Sequence, residues 1–462
     1  MLPDNVLLEI FHFCKDEDSI YFNLTWSWKT LTQVCRRWRH VVFESPRRLD
    51  LQLVCTSTTP TNRLLDIWPP FPIIVCQPAP FPVVVVDKNG MENLITALEF
   101  RDRISEIHIY DIRGPALEHL VAALHEPLPV LTRFSLNSGD DSAPVLPETF
   151  LGGSAPRLQS FGLKGIPFPS FPKFILCFHP IVHLRLDEIP NSGYISPEVM
   201  AACLAALPNL GFLSIGFRSP PSHLLQISRP HLTRRALPSL SHLEFSGVSE
   251  YFEDFVARIH TPRLIWLRIT FFMDLVFDIP QLRNFIGRTE GLGSFYRATI
   301  WFSGRMIEVS LGSPIQLALK INCERSDWQL SSMTQILSQQ FPLLSLVEQV
   351  EIIEFPSSWG GSDWNDDPDM DSLQWLELFH LFVAAQSLYV SEKLVPPVAS
   401  ALQDLTGHMA TEVFPVLQIL SLEGLEPSGP LHEAIKSFAT ARQLSHQPVV
   451  VQRWERQGLL RP

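Results

Sequence analysis

One string returns along this chain and limits what it can fold into. A proline, a leucine two residues on, and then an apolar-x-apolar strand pattern recur. They read PVLTRFSL (129–136), PRLQSFGL (156–163), PNLGFLSI (208–215), PSLSHLEF (238–245), PRLIWLRI (262–269) and PVLQILSL (415–422). ISEIHI (104–109) and PIVHLRL (180–186) are shorter variants. In six of these strings a proline stands five residues before the same apolar position. Aligned on residues 107, 134, 161, 184, 213, 243 and 267, the steps are 27, 27, 23, 29, 30 and 24 residues. A unit of this size supplies one short strand, whose alternate residues point inward, and one return segment. A single unit cannot bury its own apolar face, but a stack of units can.

The return segments have helical character. In SPEVMAACLAALPNL (196–210), Val199, Cys203, Ala206 and Leu207 form one helical face, and Ser196-Pro197-Glu198 gives a helix start. The period falls within or next to that of leucine-rich repeats, which the chain resembles. The usual Asn or Cys after the strand is missing from most units, and unit length varies. The expected fold is α/β, an irregular leucine-rich-repeat-like solenoid over 91–462, with a short helical segment before it. An irregular β-sandwich is the competing fold, and the helical returns argue against it. Residues 290–325 break the period. YRATIWFSGRMIEVSLGSPIQLALKI (296–321) alternates apolar and polar residues across Ser-Gly and Gly-Ser-Pro turns, and predicts an antiparallel hairpin or meander. GPLHEAIKSFATARQL (429–444) predicts a closing helix. Residues 49–90 read as a proline-rich connecting segment, with seven prolines between 60 and 82 and short strands between them.

Composition excludes several classes of function. The chain is 46% hydrophobic and 18% charged, below the usual charged share of about 25%, so it can bury a large core. A formal charge of −12 disfavours nucleic acid as the chain-wide partner. Seven dispersed cysteines (14, 35, 55, 76, 177, 203 and 323) form no Cys-x-x-Cys pair. They read as small buried hydrophobes of a reducing compartment, with no metal site expected. Asp4 and Glu9 interrupt the first apolar stretch, so no signal peptide is expected, and no run predicts a membrane span. The Asn23-Leu24-Thr25 triplet carries little weight without secretion. No Gly-x-Ser-x-Gly, P-loop, Gly-x-Gly-x-x-Gly or His-Glu-x-x-His motif occurs, so neither catalytic residues nor cofactors are expected.

The N-terminal fifty residues follow a different pattern. In LPDNVLLEIFHFC (2–14), Leu7, Ile10, Phe11 and Cys14 share one helical face while Val6, Leu8 and Phe13 lie on others. A helix that is apolar nearly all round must be covered on more than one side. A second helix, expected to start near Trp28 or Thr30, carries Leu31, Val34, Cys35, Trp38, Val41 and Val42, with Arg36, Arg37 and Arg39 between them. Two short helices cannot enclose that much apolar surface alone. Burying five or six such side chains under a partner is worth on the order of 10 kcal/mol before association costs.

LPDNVLLEIF followed by LTQVCRRWRHVVFESP resembles an F-box. The match covers residues 2–46, about a tenth of the chain, within an F-box segment set at 1–48. The Leu-Pro start, the Ile-Phe pair and the Val-Cys-Arg-Arg-Trp element carry it together. The spacer at 15–30 is longer than usual in that family, which leaves the register of the second helix open. The resemblance implies docking on a Skp-type adaptor and, through it, on a cullin, through Leu2, Pro3, Val6, Leu7, Ile10, Phe11, Leu31, Val34, Cys35 and Trp38. It implies a non-enzymatic substrate-recognition subunit of an SCF-type ubiquitin ligase, cytoplasmic or nuclear, which engages neither nucleic acid nor membrane. The alternative is a repeat scaffold for protein–protein interaction with no ligase link. In the repeats, strand residues between the inward positions are the candidate contacts for an unknown protein substrate: Ser135, Gly162, Arg185, Ser214, Glu244 and Arg268. Residues 326–392 hold eleven acidic residues and no Lys or Arg. This region reads either as a solvated acidic loop or as a docking patch for a basic partner. Asp367, Asp369 and Asp371 lack the glycine and terminal Glu of a calcium loop.

Overall fold

The structure is a computed structural model. It describes residues 2–13, 31, 33–44, 51–68, 70–77, 88–140, 143–177, 180–219, 234–272, 278–293, 295–323, 327–338, 344–355, 372–405, 409–426 and 428–454. The chain divides into two compact units, Met1–Ser222 and His223–Pro462.

The first unit opens with helices α1 (Asp4–Phe13) and α2 (Arg36–Glu44). Seven strands follow: β1 (Leu51–Val54), β2 (Ile73–Cys76), β3 (Ile104–Ile112), β4 (Arg133–Ser138), β5 (Ser160–Lys164), β6 (His183–Ile189) and β7 (Phe212–Phe217). They lie in sequence order and every neighbouring pair is parallel. The proline-rich segment therefore contributes two strands to the sheet. The returns include α3 (Thr61–Ile67), α4 (Lys88–Leu98), α5 (Gly114–Ala123), α6 (Phe171–Ile175) and α7 (Pro197–Leu204). Ser196 caps α7 by accepting the Val199 N–H. The face that α7 buries differs from the expected one. Met200, Ala201, Cys203 and Leu204 are buried, with Leu207 just beyond, while Val199 in the first turn faces solvent.

The repeat string explains the stacking. In all six proline-bearing units the residue before proline accepts the N–H of the leucine three positions on. Leu128 accepts from Leu131 at 3.2 Å, Ala155 from Leu158 at 3.0 Å, Leu207 from Leu210 at 3.2 Å, Leu237 from Leu240 at 3.4 Å, Thr261 from Leu264 at 3.3 Å and Phe414 from Leu417 at 3.0 Å. Each is a β-turn with proline at its second position, where the fixed φ of the ring is already correct. The leucine drops into the core. The carbonyl of the next residue then takes two N–H groups from the following unit: Thr132 from Gln159 and Ser160, Gln159 from Val182 and His183, Ser241 from Ile265 and Trp266. This fixes the register. Residues 107, 134, 161, 184 and 213 form one column in the first unit, and 243 and 267 pair in the second. Phenylalanines extend the column into the core: Phe134 stacks on Phe161 at 5.7 Å, and Phe161 meets Phe174 of α6 at 5.4 Å.

The second unit contains β9 (His242–Gly247), β11 (Trp266–Phe271), β12 (Arg297–Ser303), β13 (Met306–Leu311), β14 (Leu317–Asn322), β15 (Gln349–Glu354), β16 (Ser387–Val390), β17 (Ile419–Glu423) and β18 (Val450–Trp454). A small parallel pair, β8 (Arg235–Ala236) and β10 (Ile259–His260), lies apart. The spatial order is β9-β11-β14-β13-β12-β15-β16-β17-β18. The expected meander is β12–β13–β14, antiparallel within itself and inserted in reverse order. Three strands are an odd number, so β14 runs parallel to β11 and β12 parallel to β15. The returns are α8 (Ser249–Arg258), α9 (Pro280–Gly287), α10 (Asp327–Ser338), α11 (Ser372–Phe379), α12 (Val395–Gln403), α13 (Met409–Glu412) and α14 (Pro430–Leu444). The helix predicted to close the stack, α14, is followed by one more parallel strand, β18.

Side chains join the returns to one another. Glu253 of α8 accepts the Gln281 and Leu282 N–H groups, both at 2.7 Å, at the start of α9. Arg288, just past α9, donates to the Val256 and Ile259 carbonyls at 2.6 and 3.1 Å. Arg442 of α14 is fully buried and donates to the Ala410, Phe414, Leu417 and Gln447 carbonyls at 2.9–3.2 Å.

Candidate interaction surfaces

Two surfaces carry the residues singled out from the sequence. The first is the α1–α2 pair. Pro3 directly precedes its first helix, and its carbonyl accepts the Val6 and Leu7 N–H groups. Leu31, Gln33 and Val34 are helical, Cys35 breaks the helix, and α2 begins at Arg36. The Trp38 N–H donates to the Cys35 sulfur at 3.4 Å, which serves as the cap of α2. Residues 14–30, with Cys14 and the long spacer, lie outside the described residues, as do 45–50.

Between these helices the apolar residues sort onto two sides. Leu7 and Phe11, one turn apart, face inward, and the Phe11 ring meets Trp38 at 4.8 Å. Leu31, Val41 and Val42 are also buried. Val6 and the half-buried Trp38 are partly accessible, while Pro3 and Cys35 are exposed. Leu2, Ile10 and Val34 are 51%, 41% and 55% exposed. Of the ten expected contact residues, three are already sealed by the chain and three large apolar ones stand bare. Arg37 turns inward: it donates to the Asp4 carboxylate at 2.6 and 3.0 Å and to the Leu2 carbonyl, tying α2 to the start of α1. Arg36, Arg39 and His40 face outward.

The second surface is the face of the strands turned away from the described helices. Inward side chains meet the returns, as Phe245 stacks on Phe252 of α8 at 4.5 Å and Phe302 meets Trp375 of α11 at 5.3 Å. The alternate residues face away from the helices. Ser135, Gly162, Arg185 and Ser214 form one register column, and Glu244 and Arg268 pair in the second unit. Arg185 and Arg268 are exposed, Ser135, Gly162 and Glu244 are half-buried, and Ser214 is buried. Arg185 lies 5.2 Å from the Phe212 ring centre and 3.7 Å from Asp187. Asp187 in turn accepts the Ser214 hydroxyl at 2.6 Å. Arg268 stacks 5.2 Å above Trp266. Burial holds the Lys320 amine below its ordinary range, with Glu308 opposing the shift and Arg268 adding to it. Sequence reasoning missed Trp266, Lys320 and Glu308. Period-2 alternation within the strands marks their side of the sheet, but only register places Lys320 diagonally beside Arg268.

Among the described residues no three His, Cys, Asp or Glu side chains come together to hold a metal ion. No described helix is long and apolar enough to cross a membrane. The acidic stretch 363–371, with Asp367, Asp369 and Asp371, lies outside the described residues.

No protein-family profile matches this chain, and no curated protein does. Among solved structures, the leucine-rich repeat-containing protein LegL7 from Legionella pneumophila is matched at 12% identity over 87% of this chain and 99% of that one. The TM-score is 0.30, too low to establish a shared fold.

Proposed function

We propose that this chain is the substrate-recognition subunit of an SCF-type ubiquitin ligase. The α1–α2 pair docks a Skp-type adaptor and, through it, a cullin, and the repeats hold a protein substrate. One observation carries the reading: the helix pair spends Leu7, Phe11 and Leu31 on its own seam yet leaves Leu2, Ile10 and Val34 uncovered. Large apolar side chains left exposed on a short helix pair support an interaction site, and the F-box-like sequence there supplies the partner's class. The chain contributes no catalytic group. Its role is tethering, which raises the effective concentration of a substrate lysine near the charged ubiquitin carrier.

The test is capture of a purified Skp-type adaptor with its cullin. Ile10→Asp plus Val34→Asp changes only exposed positions, so the variant stays folded and is expected to lose capture by at least about tenfold. Leu7→Asp would instead break the helix pair and does not discriminate. Undiminished capture by the Ile10/Val34 variant, or no capture by the parent chain, favours a repeat scaffold for protein–protein contacts without a ligase link.

A further inference from the structure

The turn that starts each strand changes character in the last part of the second unit. In four earlier repeats the third residue of that turn is polar: Arg157, Asn209, Ser239 and Arg263, with Val130 the exception. The turns before β15, β16 and β17 keep the same geometry, closed by Val347 N–H to Leu344, Ala385 N–H to Phe382 and Leu417 N–H to Phe414 at 3.0–3.1 Å. Leu346 and Val416 hold that third position, and before β16 Val383 holds the second with Ala384 third; Leu346, Val383 and Val416 are between 46% and 52% exposed. Tyr296 continues the row at β12, where its carbonyl accepts the Glu348 and Gln349 N–H groups. Adjacent strands lie about 4.8 Å apart, so the row runs about 14 Å, close to three turns of helix.

Charge changes over the same stretch. Between residues 326 and 435 the chain has sixteen acidic residues and one basic one, Lys393. That lysine is held by Glu354 at 2.8 Å. Elsewhere the chain has 35 basic against 32 acidic residues, so the net negative charge of the whole protein arises here. Of the acids in this stretch, Glu348 just past Leu346 and Glu412 just before Val416 are exposed near the strand starts, whereas Glu351 and Glu354 are paired with Arg297 and Lys393 and the acids of 363–371 lie outside the described residues.

We infer that the strand-start rim of β15–β17 docks a Lys/Arg-rich helical segment of a protein, its apolar side on Leu346, Val383 and Val416 and its cations toward Glu348 and Glu412. The inference deepens the proposed function by giving the class of protein the repeats hold, and it rests on that reading only in taking the occupant to be protein. Apolar knobs supply contact and the two exposed carboxylates supply steering and selection. A membrane is the poorer occupant, because anionic lipid surfaces repel an acidic rim.

The experiment uses the full chain and a labelled helical peptide of roughly 18 residues, with leucines on one face and lysines on the other, read by fluorescence anisotropy. A scrambled peptide of the same composition and phosphatidylcholine–phosphatidylserine vesicles are the comparisons. Binding that weakens with added salt is expected, reduced about tenfold both by Leu346→Ser/Val383→Ser/Val416→Ser and by Glu348→Lys/Glu412→Lys. Equal binding of the scrambled peptide, equal binding by either variant, or binding to vesicles alone overturns the inference. Because adaptor capture is read separately through Ile10 and Val34, failure at this rim leaves the ligase reading standing, and failure there leaves the rim standing.

Discussion

Arg442 is the most demanding single residue in the second unit. A guanidinium with no solvent exposure and, among the described residues, no carboxylate partner is tolerated because its N–H groups meet five carbonyls, those of Ala410, Val413, Phe414, Leu417 and Gln447. Burial holds its pKa below the ordinary arginine value, yet no other side chain spans that fan of acceptors. Arg442→Met should cost about 3 kcal/mol or more in chemical denaturation, since the carbonyls lose their donors in a dry site, and Arg442→Lys should recover little of it. Glu253 makes the opposite compromise. Burial pushes its carboxyl up to about 7, against the two N–H bonds from Gln281 and Leu282 that pull it down, and with Asp278 adding like charge. Between about pH 4.5 and 7 the folded chain keeps a proton that the unfolded chain has released. Stability should therefore fall as pH rises through that window, and Glu253→Gln should flatten the slope in a pH series of thermal melts.

At the scale of the element, the Pro-x-Leu turn has two jobs that substitutions can separate. Proline restricts the unfolded chain and presets the turn, whereas leucine anchors it in the core. Pro262→Ala should cost about 0.5–1 kcal/mol, and Leu264→Ala, at a site with no solvent exposure, about 2–5 kcal/mol. Equal losses in denaturant titrations would show that the two residues act as one. The meander follows a separate logic. Gly312 between β13 and β14 has a φ of 96°, a conformation that L-residues with side chains avoid. An added Cβ there would approach the Pro314 carbonyl oxygen to 2.8 Å. This glycine lets the alternating segment reverse and occupy three adjacent places in an otherwise parallel ladder.

At the scale of the molecule, the chain divides into two compact units, so unfolding should not be a single two-state event. A calorimetric scan should resolve two transitions, and Arg442→Met should lower only the one belonging to the second unit. A single transition moved as a whole by that substitution would show that the units unfold together. The sequence alone determined the periodic part of this protein. Proline placement and alternation are local properties, and a stack repeats them, so residues 107, 134, 161, 184 and 213 could be aligned before their hydrogen bonds were known. The meander was legible as antiparallel for the same reason, since period 2 and turn residues are local. Its reversed place between β11 and β15 was not, because strand order depends on which ladder closes across the chain. The N-terminal pair shows the same limit. Spacing put Leu7, Ile10 and Phe11 on one apolar face, but the contact with Trp38 took Leu7 and Phe11 inward and left Ile10 outside. A helix that is apolar on every side does not encode which side its neighbour covers; the packing of α2 against α1 decided that, and with it which residues remain for a partner.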